Sequence, residues 1–279
     1  MPASTSEPST VIFLHIPKTA GSTLHQIIRR QYRAQHIYHM GSRSDSFDQF
    51  KNLPLSRRAD IRVLMGHFEM GIDEYLPQPS TYFTMLRDPI ARAISYFSHV
   101  RRDSDHYCHN LVTTQHMNLE TFINSQADVM IDNGQTRMLA GQLYDIPFGQ
   151  CDKAVLEIAQ RNLQEQFAFA GLTERFDEAL LLMRYAFGWR NLYYTRRNIG
   201  PEQDKKPLPD ATLSALEQVN QWDAALYAFA EKLFVEKMAT LEPAFSRNLH
   251  TFQRWNSVWG VLTHYGDELR LRLLGPSER

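Results

Sequence analysis

The chain has 279 residues, 43% of them hydrophobic, which is enough for a large α/β domain with a buried core. Its 30 Lys and Arg balance 31 Asp and Glu, so the whole chain does not attract nucleic acid and any anion site must be local. Two cysteines, Cys108 and Cys151, fit neither a disulfide framework nor a zinc motif, which predicts free thiols. We expect a disordered tail at residues 1–10, no transmembrane segment and a cytoplasmic location.

The predicted elements alternate between short strands and helices. Residues 11–15 read as a buried strand that ends before Pro17, and residues 21–32 read as an amphipathic helix. Further strands are predicted at 37–40, 61–65, 81–86 and 167–171, and helices at 89–101, 119–125, 153–164 and 174–187. This alternation predicts an α/β fold with a central parallel β-sheet flanked by helices.

The last third of the chain is predicted to be mainly helical. Residues 198–210 contain three prolines and read as a loop, and residues 211–241 read as one or two long helices. No shift in composition marks a domain boundary, so we expect one domain over 11–279 with a helical C-terminal extension from about 211. The tail after residue 241 carries two Phe and two Trp and is too apolar to be free, which predicts packing on the domain or on a partner subunit.

The segment between the first strand and the first helix has the features of an anion site. A strand that feeds a tight loop into a helix presents free backbone N–H groups and the positive helix end. The segment, which we call the Lys18 loop, consists of Pro17, Lys18, Thr19, Ala20, Gly21, Ser22 and Thr23. Its ammonium, hydroxyls and glycine suit a phosphate or a sulfate. The alternative is that the hydroxyls only cap the helix while the lysine is solvated.

A nucleotide triphosphatase P-loop is excluded by the order of residues. In that motif the lysine follows the last glycine, whereas Lys18 precedes Gly21 here. The order therefore argues against a P-loop-type kinase.

Two motifs resemble those of the sulfotransferases that use 3′-phosphoadenosine 5′-phosphosulfate (PAPS). HIPKTAGSTL at 15–24 resembles their 5′-phosphosulfate-binding loop. RDPIARAISY at 87–96 resembles their R-D-P-x-x-R-x-x-S-x-Y, whose arginine and serine bind the 3′-phosphate and correspond to Arg87 and Ser95. Asp88 is also a good helix N-cap. The alternative is that Arg87 pairs with a carboxylate and Arg92 with Asp88, but two motifs in the family's order favour the donor site.

The resemblance is to the carbohydrate sulfotransferase branch, typified by heparan sulfate 2-O-sulfotransferase. Segments 132–139, 171–176 and 194–198 look like those of bacterial members. The resemblance implies a P-loop-kinase-like sulfotransferase fold, PAPS as co-substrate, adenosine 3′,5′-bisphosphate as product, no metal, and a hydroxylated acceptor, expected to be a glycan. It also implies that Lys18 assists departure of the leaving group. Donor contacts are further implied for Arg196, Arg197 and Lys205, in a loop that closes over the nucleotide.

His67 is the candidate catalytic base. It follows the predicted strand 61–65, at the end where α/β sheets bind ligands, and imidazole titrates near neutral pH. The 2-O branch has His-Gly-His here, and His67 matches the second histidine, while Met65 replaces the first and leaves the acceptor open. The alternative is a His67 that packs or donates to backbone.

Two further readings are left open. In the first, the acceptor is the hydroxyl of a small molecule and not of a glycan. In the second, the protein is a non-catalytic module that binds adenosine 3′,5′-bisphosphate.

The segment 99–116 holds four histidines, and His106 and His109 have a spacing that suits a metal. No second half-site accompanies them, so no metal is predicted. Arg101 and Arg102 contact an anionic acceptor or form a solvated helix end. Trp189 stacks on adenine or belongs to the core.

Overall fold

The computed structural model describes residues 10–41, 46–195 and 207–274. One sheet contains five strands in the order β2-β3-β1-β4-β5, and every neighbouring pair is parallel. The strands are β1 (Thr10–Leu14), β2 (Ile37–Met40), β3 (Val63–Gly66), β4 (Ser80–Leu86) and β5 (Phe167–Leu172). The predicted central parallel sheet is confirmed. Thr10, the last residue of the predicted tail, is instead buried in β1, and residues 1–9 lie outside the described part of the chain, so a disordered tail there stays a prediction.

Twelve helices are described, with 3-10 turns at Ala34–His36, Ile72–Tyr75, Val129–Ile131 and Thr173–Arg175. The helices are α1 (Gly21–Gln31), α2 (Ser46–Lys51), α3 (Leu55–Ala59), α4 (Pro89–Arg102), α5 (His109–Thr114), α6 (Leu119–Ser125), α7 (Gly134–Ala140), α8 (Lys153–Glu165), α9 (Phe176–Phe187), α10 (Asp210–Val219), α11 (Gln221–Ala239) and α12 (Ala244–Leu274). Every predicted helix is present, and 211–241 forms two helices that meet at Asn220.

The helix α7 was not predicted, and its burial explains why. All seven of its residues are buried, including Gln135, Thr136 and Arg137. A helix with no exposed face shows no alternation of polar and apolar residues at the helical period, so the usual sequence signal is missing.

The sheet is buried and brings several loops together at one edge. All five residues of β1 are buried, and Phe13 stacks on Phe83 of β4 with ring centroids 4.8 Å apart. Leu14 pairs with Gly66 of β3 and with Thr84 of β4, so the three strands end close together. The segments that follow β1, β3 and β4 therefore meet at the carboxyl edge of the sheet, where α/β proteins bind ligands.

The C-terminal helices pack back on this core. Helix α11 contacts β5, α7 and α8, and α12 contacts α9. Phe245 and Phe252 of α12 are buried, as predicted for an apolar tail, whereas Trp255 and Trp259 are 45% and 44% exposed. Within the described residues, no helix combines the length and apolarity required to cross a membrane.

Candidate active site

The Lys18 loop turns on two residues with left-handed backbone, Lys18 at φ 72° and Ala20 at φ 67°. The buried Thr19 hydroxyl donates to the Ile16 carbonyl at 2.8 Å, so it braces the loop. Ala20 is the N-cap of α1, and its side chain makes no capping hydrogen bond. The Thr19 hydroxyl therefore braces the loop and does not cap the helix. Half-buried Lys18 lies beside the N-terminus of α1, where the helix dipole is positive.

Gly21 is required by packing inside the protein. A Cβ atom at this position would lie 1.7 Å from Nε2 of His15. The His15 ring itself stacks on Phe13, with centroids 5.2 Å apart, and meets the His67 ring at 4.3 Å. The missing side chain of Gly21 therefore makes room for His15, and the predicted contact of Gly21 with the donor stays a prediction.

The Arg87 turn, Arg87 and Asp88, follows β4 directly. Asp88 Oδ1 accepts from the Ala91 amide at 2.8 Å, which confirms the predicted N-cap of α4. The Arg87 guanidinium donates through Nη1 to the Lys18 carbonyl at 3.2 Å. Buried Arg92 lies 3.5 Å from Asp223 Oδ2, so the alternative pairing of Arg92 with Asp88 is wrong. The two predicted donor motifs, 69 residues apart, thus form one site.

Side chains from two other segments hold the Arg87 turn. Gln135 Oε1 accepts from the Arg87 amide at 3.0 Å, and its Nε2 donates to the Arg87 carbonyl at 3.0 Å. The Thr173 hydroxyl donates to the Leu86 carbonyl at 2.9 Å, and Glu174 Oε1 accepts from the Asp88 amide at 3.0 Å. The family resemblance drew attention to both segments, 132–139 and 171–176. A sequence motif does not reveal, however, which atoms its side chains contact.

His67 lies directly after β3, as predicted. Its Nδ1 is 2.9 Å from the His15 carbonyl oxygen. Because a carbonyl can only accept, Nδ1 carries the hydrogen and Nε2 holds the free lone pair. Burial lowers the pKa of His67 to about 4, opposed by the hydrogen bond to His15 and reinforced by His39, His99 and Lys18. His67 therefore does donate to backbone, and it also keeps a neutral nitrogen that can accept a proton.

Positive charge is concentrated around Lys18. Burial lowers the pKa of Lys18, and the nearby guanidinium groups of Arg102 and Arg87 lower it further, against the opposing carboxylate of Asp103. Burial also lowers the pKa of Arg87, although Glu174 and Asp88 oppose this. A bound anion would relieve this repulsion, so the electrostatics favour a phosphate or a sulfate.

The remaining predicted donor residues differ in how the structure places them. Ser95 is half-buried on α4, Ser22 is exposed and Thr23 buried in the first turn of α1, and Pro17 is half-buried. The other predicted donor contacts, Arg196, Arg197 and Lys205, lie outside the described residues, so the closing loop stays a prediction.

Trp189 belongs to the core. It is buried, and its indole N–H donates to the Tyr32 hydroxyl at 3.0 Å, which settles the alternative against adenine stacking. A cavity of about 610 Å³ opens beside it, near the last turn of α9, with Arg184, Arg190 and Tyr193 among its lining residues. Its lining includes no residue of the Lys18 loop or the Arg87 turn.

One group of metal-type side chains occurs among the described residues. Ligand atoms of His106, Cys108 and Asp128 lie within 4.8 Å of one another. However, the Tyr96 hydroxyl lies 3.0 Å from His106 Nε2 and donates to Asp128 Oδ2 at 2.7 Å, and His106 Nδ1 accepts from the Cys108 amide at 3.2 Å. These atoms already satisfy one another in a hydrogen-bond network, and His109 instead lies against the Val100 carbonyl at 3.0 Å. That no metal is needed stays a prediction.

Fold and site together define an α/β protein with a candidate anion site at the carboxyl edge of its sheet. Residues 1–254 match the model of the galactose-3-O-sulfotransferase family, so the chain belongs to that family. Membership of a carbohydrate sulfotransferase family is thus confirmed, while the 2-O branch and the bacterial type stay predictions.

Two curated relatives illustrate the similarity. Heparan-sulfate 6-O-sulfotransferase 3-B of Danio rerio is 26% identical over 270 residues, which cover 81% of this chain and 64% of the relative. Galactose-3-O-sulfotransferase 3 of Bos taurus is 25% identical over 252 residues, which cover 83% of this chain and 58% of the relative. The chain therefore spans less than two thirds of the length of these relatives.

Among solved structures, mouse sulfotransferase SULT7A1 complexed with PAP aligns with a TM-score of 0.39 and 10% identity. The alignment covers 79% of this chain and 66% of that one.

Proposed function

We propose that this protein transfers a sulfuryl group from PAPS to a hydroxyl group of a carbohydrate. The observation that carries the proposal is the 3.2 Å hydrogen bond from Arg87 Nη1 to the Lys18 carbonyl, because it unites the two motifs that resemble donor-binding elements. The family match supports the reaction class, and the relatives named for heparan sulfate and galactose support a glycan acceptor.

The donor would lie across the two motifs. The N-terminal amides of α1 and the Lys18 ammonium bind the 5′-phosphosulfate, and Arg87 with Ser95 binds the 3′-phosphate. As the bond between sulfur and the bridging oxygen breaks, negative charge grows on the phosphate that leaves. Lys18 stabilises that charge, and a preorganised cation in a half-buried site is an efficient way to do so. The product is adenosine 3′,5′-bisphosphate, no metal is required, and Arg196, Arg197 and Lys205 contribute to closure.

His67 removes the proton from the acceptor. Its Nδ1–H is held by the His15 carbonyl, which orients the ring and leaves Nε2 for the acceptor hydroxyl. The hydroxyl oxygen forms a bond to sulfur while its proton moves to Nε2. In the protein alone the pKa of His67 is about 4, which is low for a base. The negative charge of PAPS raises that pKa, because a nearby anion stabilises imidazolium. The base therefore becomes stronger once the donor is bound.

Transfer of labelled sulfate from PAPS to neutral glycans, acidic glycans and phenols tests the proposal. We expect the wild type to label a glycan, and Lys18→Ala and His67→Ala to lose at least about 100-fold in rate. Lys153→Ala is the matched control, because Lys153 lies on the surface in an exposed pair with Glu157. Labelled phenol without labelled glycan would identify a small-molecule acceptor.

Binding of adenosine 3′,5′-bisphosphate, measured by calorimetry, separates the remaining outcomes. Tight binding with no labelled acceptor would replace the enzyme with a nucleotide-binding module. Absence of binding by the wild type would overturn both readings. A cytoplasmic location stays a proposal, which fractionation of the source cells tests.

A further inference from the structure

Gln135 is a fully buried polar side chain at the edge of the site. It has 0% exposure and lies in the first turn of α7. Its amide pairs with both the N–H and the C=O of Arg87, at 3.0 Å each. Because β4 ends at Leu86, the side-chain amide continues the hydrogen bonding of the sheet by one residue, as a peptide group of a neighbouring strand would.

Gln135 is itself held from the other side by Asp223. This carboxylate has 0% exposure and lies on α11. It accepts from the backbone N–H of Gln135 at 3.1 Å. It also accepts from the backbone N–H and the hydroxyl of Thr136, at 2.7 and 2.8 Å. The backbone of Gln135 and both ends of its side chain are therefore fixed. A continuous chain of hydrogen bonds connects α11 through Gln135 and Arg87 to the Lys18 carbonyl.

We propose that Gln135 is a positioning residue for the donor phosphate, acting through Arg87. The inference rests on the proposed function, in which Arg87 binds the 3′-phosphate. The guanidinium of an arginine lies far from its Cα atom. A small rotation of the Arg87 backbone therefore moves the guanidinium much further than it moves the backbone atoms. Holding the backbone before the donor arrives lowers the entropy lost on binding.

The two hydrogen bonds between the Gln135 side chain and the Arg87 backbone favour glutamine over side chains of similar size. Ionised glutamate would keep the acceptor for the Arg87 N–H but would direct a second oxygen at the Arg87 carbonyl. Methionine has a similar length and neither hydrogen bond. Comparison of Gln135→Glu with Gln135→Met therefore separates one lost interaction from two.

Calorimetric titration with adenosine 3′,5′-bisphosphate tests the inference. We expect Gln135→Met to weaken binding about tenfold, the order expected for two lost hydrogen bonds, and Gln135→Glu to weaken it as well. Arg87→Met should weaken binding at least as much. Adding Gln135→Met to Arg87→Met should then have no further effect, because the residue acts through the arginine. In steady-state kinetics, Gln135→Met should raise KM for PAPS and leave KM for the acceptor unchanged.

Asn162→Leu is the matched control for general loosening of α7. The Asn162 side chain donates to the Leu139 carbonyl of α7 at 2.8 Å, and Leu139 lies at the end of the helix away from Gln135. This variant should lose thermal stability and keep the nucleotide affinity within about twofold of wild type.

The inference falls if the wild type binds the nucleotide and folded Gln135→Met binds it equally well. It also falls if the losses from Gln135→Met and Arg87→Met add. If Gln135→Met does not fold, Gln135→Glu decides when its nucleotide affinity is measured from pH 6 to pH 9, and wild-type affinity over that whole range overturns the proposal. A wild type that does not bind the nucleotide overturns the proposed function together with this inference.

Discussion

The Arg87 turn and the Lys18 loop meet in one site, yet they are stabilised in different ways. The backbone of Arg87 is bound by Gln135, and that of Asp88 by Glu174, so the turn is held by partners inside the protein. Lys18 has left-handed backbone and a lowered pKa, and it neighbours His67, whose pKa is lowered too. The backbone of the Arg87 turn therefore has its hydrogen-bond partners in place without a ligand. Lys18, in contrast, carries a charge that Arg102 and Arg87 repel and that a bound anion would stabilise, which is typical of functional sites.

His67→Asn removes chemistry from the Lys18 half and should have the largest effect. The amide nitrogen of the new side chain replaces Nδ1 and keeps the bond to the His15 carbonyl, while Nε2 is lost. We expect sulfuryl transfer to fall about 1,000-fold with nucleotide affinity nearly unchanged. In the wild type, kcat/KM for PAPS, which reports the protein before the donor binds, should fall on acidification towards the His67 pKa of about 4, because only neutral imidazole accepts the proton. A pH–rate profile of His67→Asn that keeps this acidic limb would contradict the assignment.

Asp223→Ala attacks the Arg87 half and should cost about 3–5 kcal/mol of unfolding free energy. It leaves buried Arg92 without its nearby carboxylate and three donors of α7 without an acceptor. Urea denaturation measures the loss. Glu236→Ala on the same helix is the control, since its pair with Lys232 is exposed and should contribute less than about 1 kcal/mol. Equal losses for the two variants would show that Asp223 does not support the turn.

Acid should lower the free energy of unfolding by protonating the histidines beside the Lys18 loop. Burial lowers the pKa of His15, brings that of His25 to about 3 and that of His67 to about 4. The folded state then binds fewer protons than the unfolded state, whose histidines titrate near 6.5. Stability is therefore full above pH 6.5 and is lost as pH falls towards 4, by about 3 kcal/mol at pH 5 after discounting for partial exposure.

Urea denaturation between pH 5 and pH 8 measures this dependence. His25→Phe should flatten the profile, whereas replacement of exposed His250 by Ala should not. An unchanged profile in His25→Phe would mean that other groups cause the acid sensitivity.

Gly21→Ala tests the packing beneath the Lys18 loop and should have the smallest effect, about 2 kcal/mol of lost stability. The new Cβ would collide with the His15 ring, which lies against Phe13 and His67 and has little room to move. Gly266→Ala on α12 is the control, because nothing lies within 4 Å of its added atom. Thermal denaturation that ranks Gly266→Ala as the more harmful change would show that His15 yields easily.

The elements that the sequence predicted well are those with local signals. Strand β1, its loop and α1 follow from an apolar run, Pro17 and one helical face, and the N-cap at Asp88 follows from the residue types alone. Helix α7 has no such signal because it is buried on every side. Its role depends on Asp223, which the chain supplies 88 residues after Gln135.

The sequence by itself determined which chemical groups are present and in what order: a lysine loop after one strand, a histidine after another, and an arginine at the start of a capped helix. These are properties of short segments, where backbone preference and hydrogen-bonding capacity act between near neighbours. Only the tertiary structure decided that Arg87 contacts the Lys18 carbonyl, that Gln135 holds Arg87, and that Gly21 serves His15. The first two contacts join residues 69 and 48 positions apart, so they arise from the packing of β1 beside β4 and of α7 against the Arg87 turn. The third contact depends on the position of the His15 ring against α1.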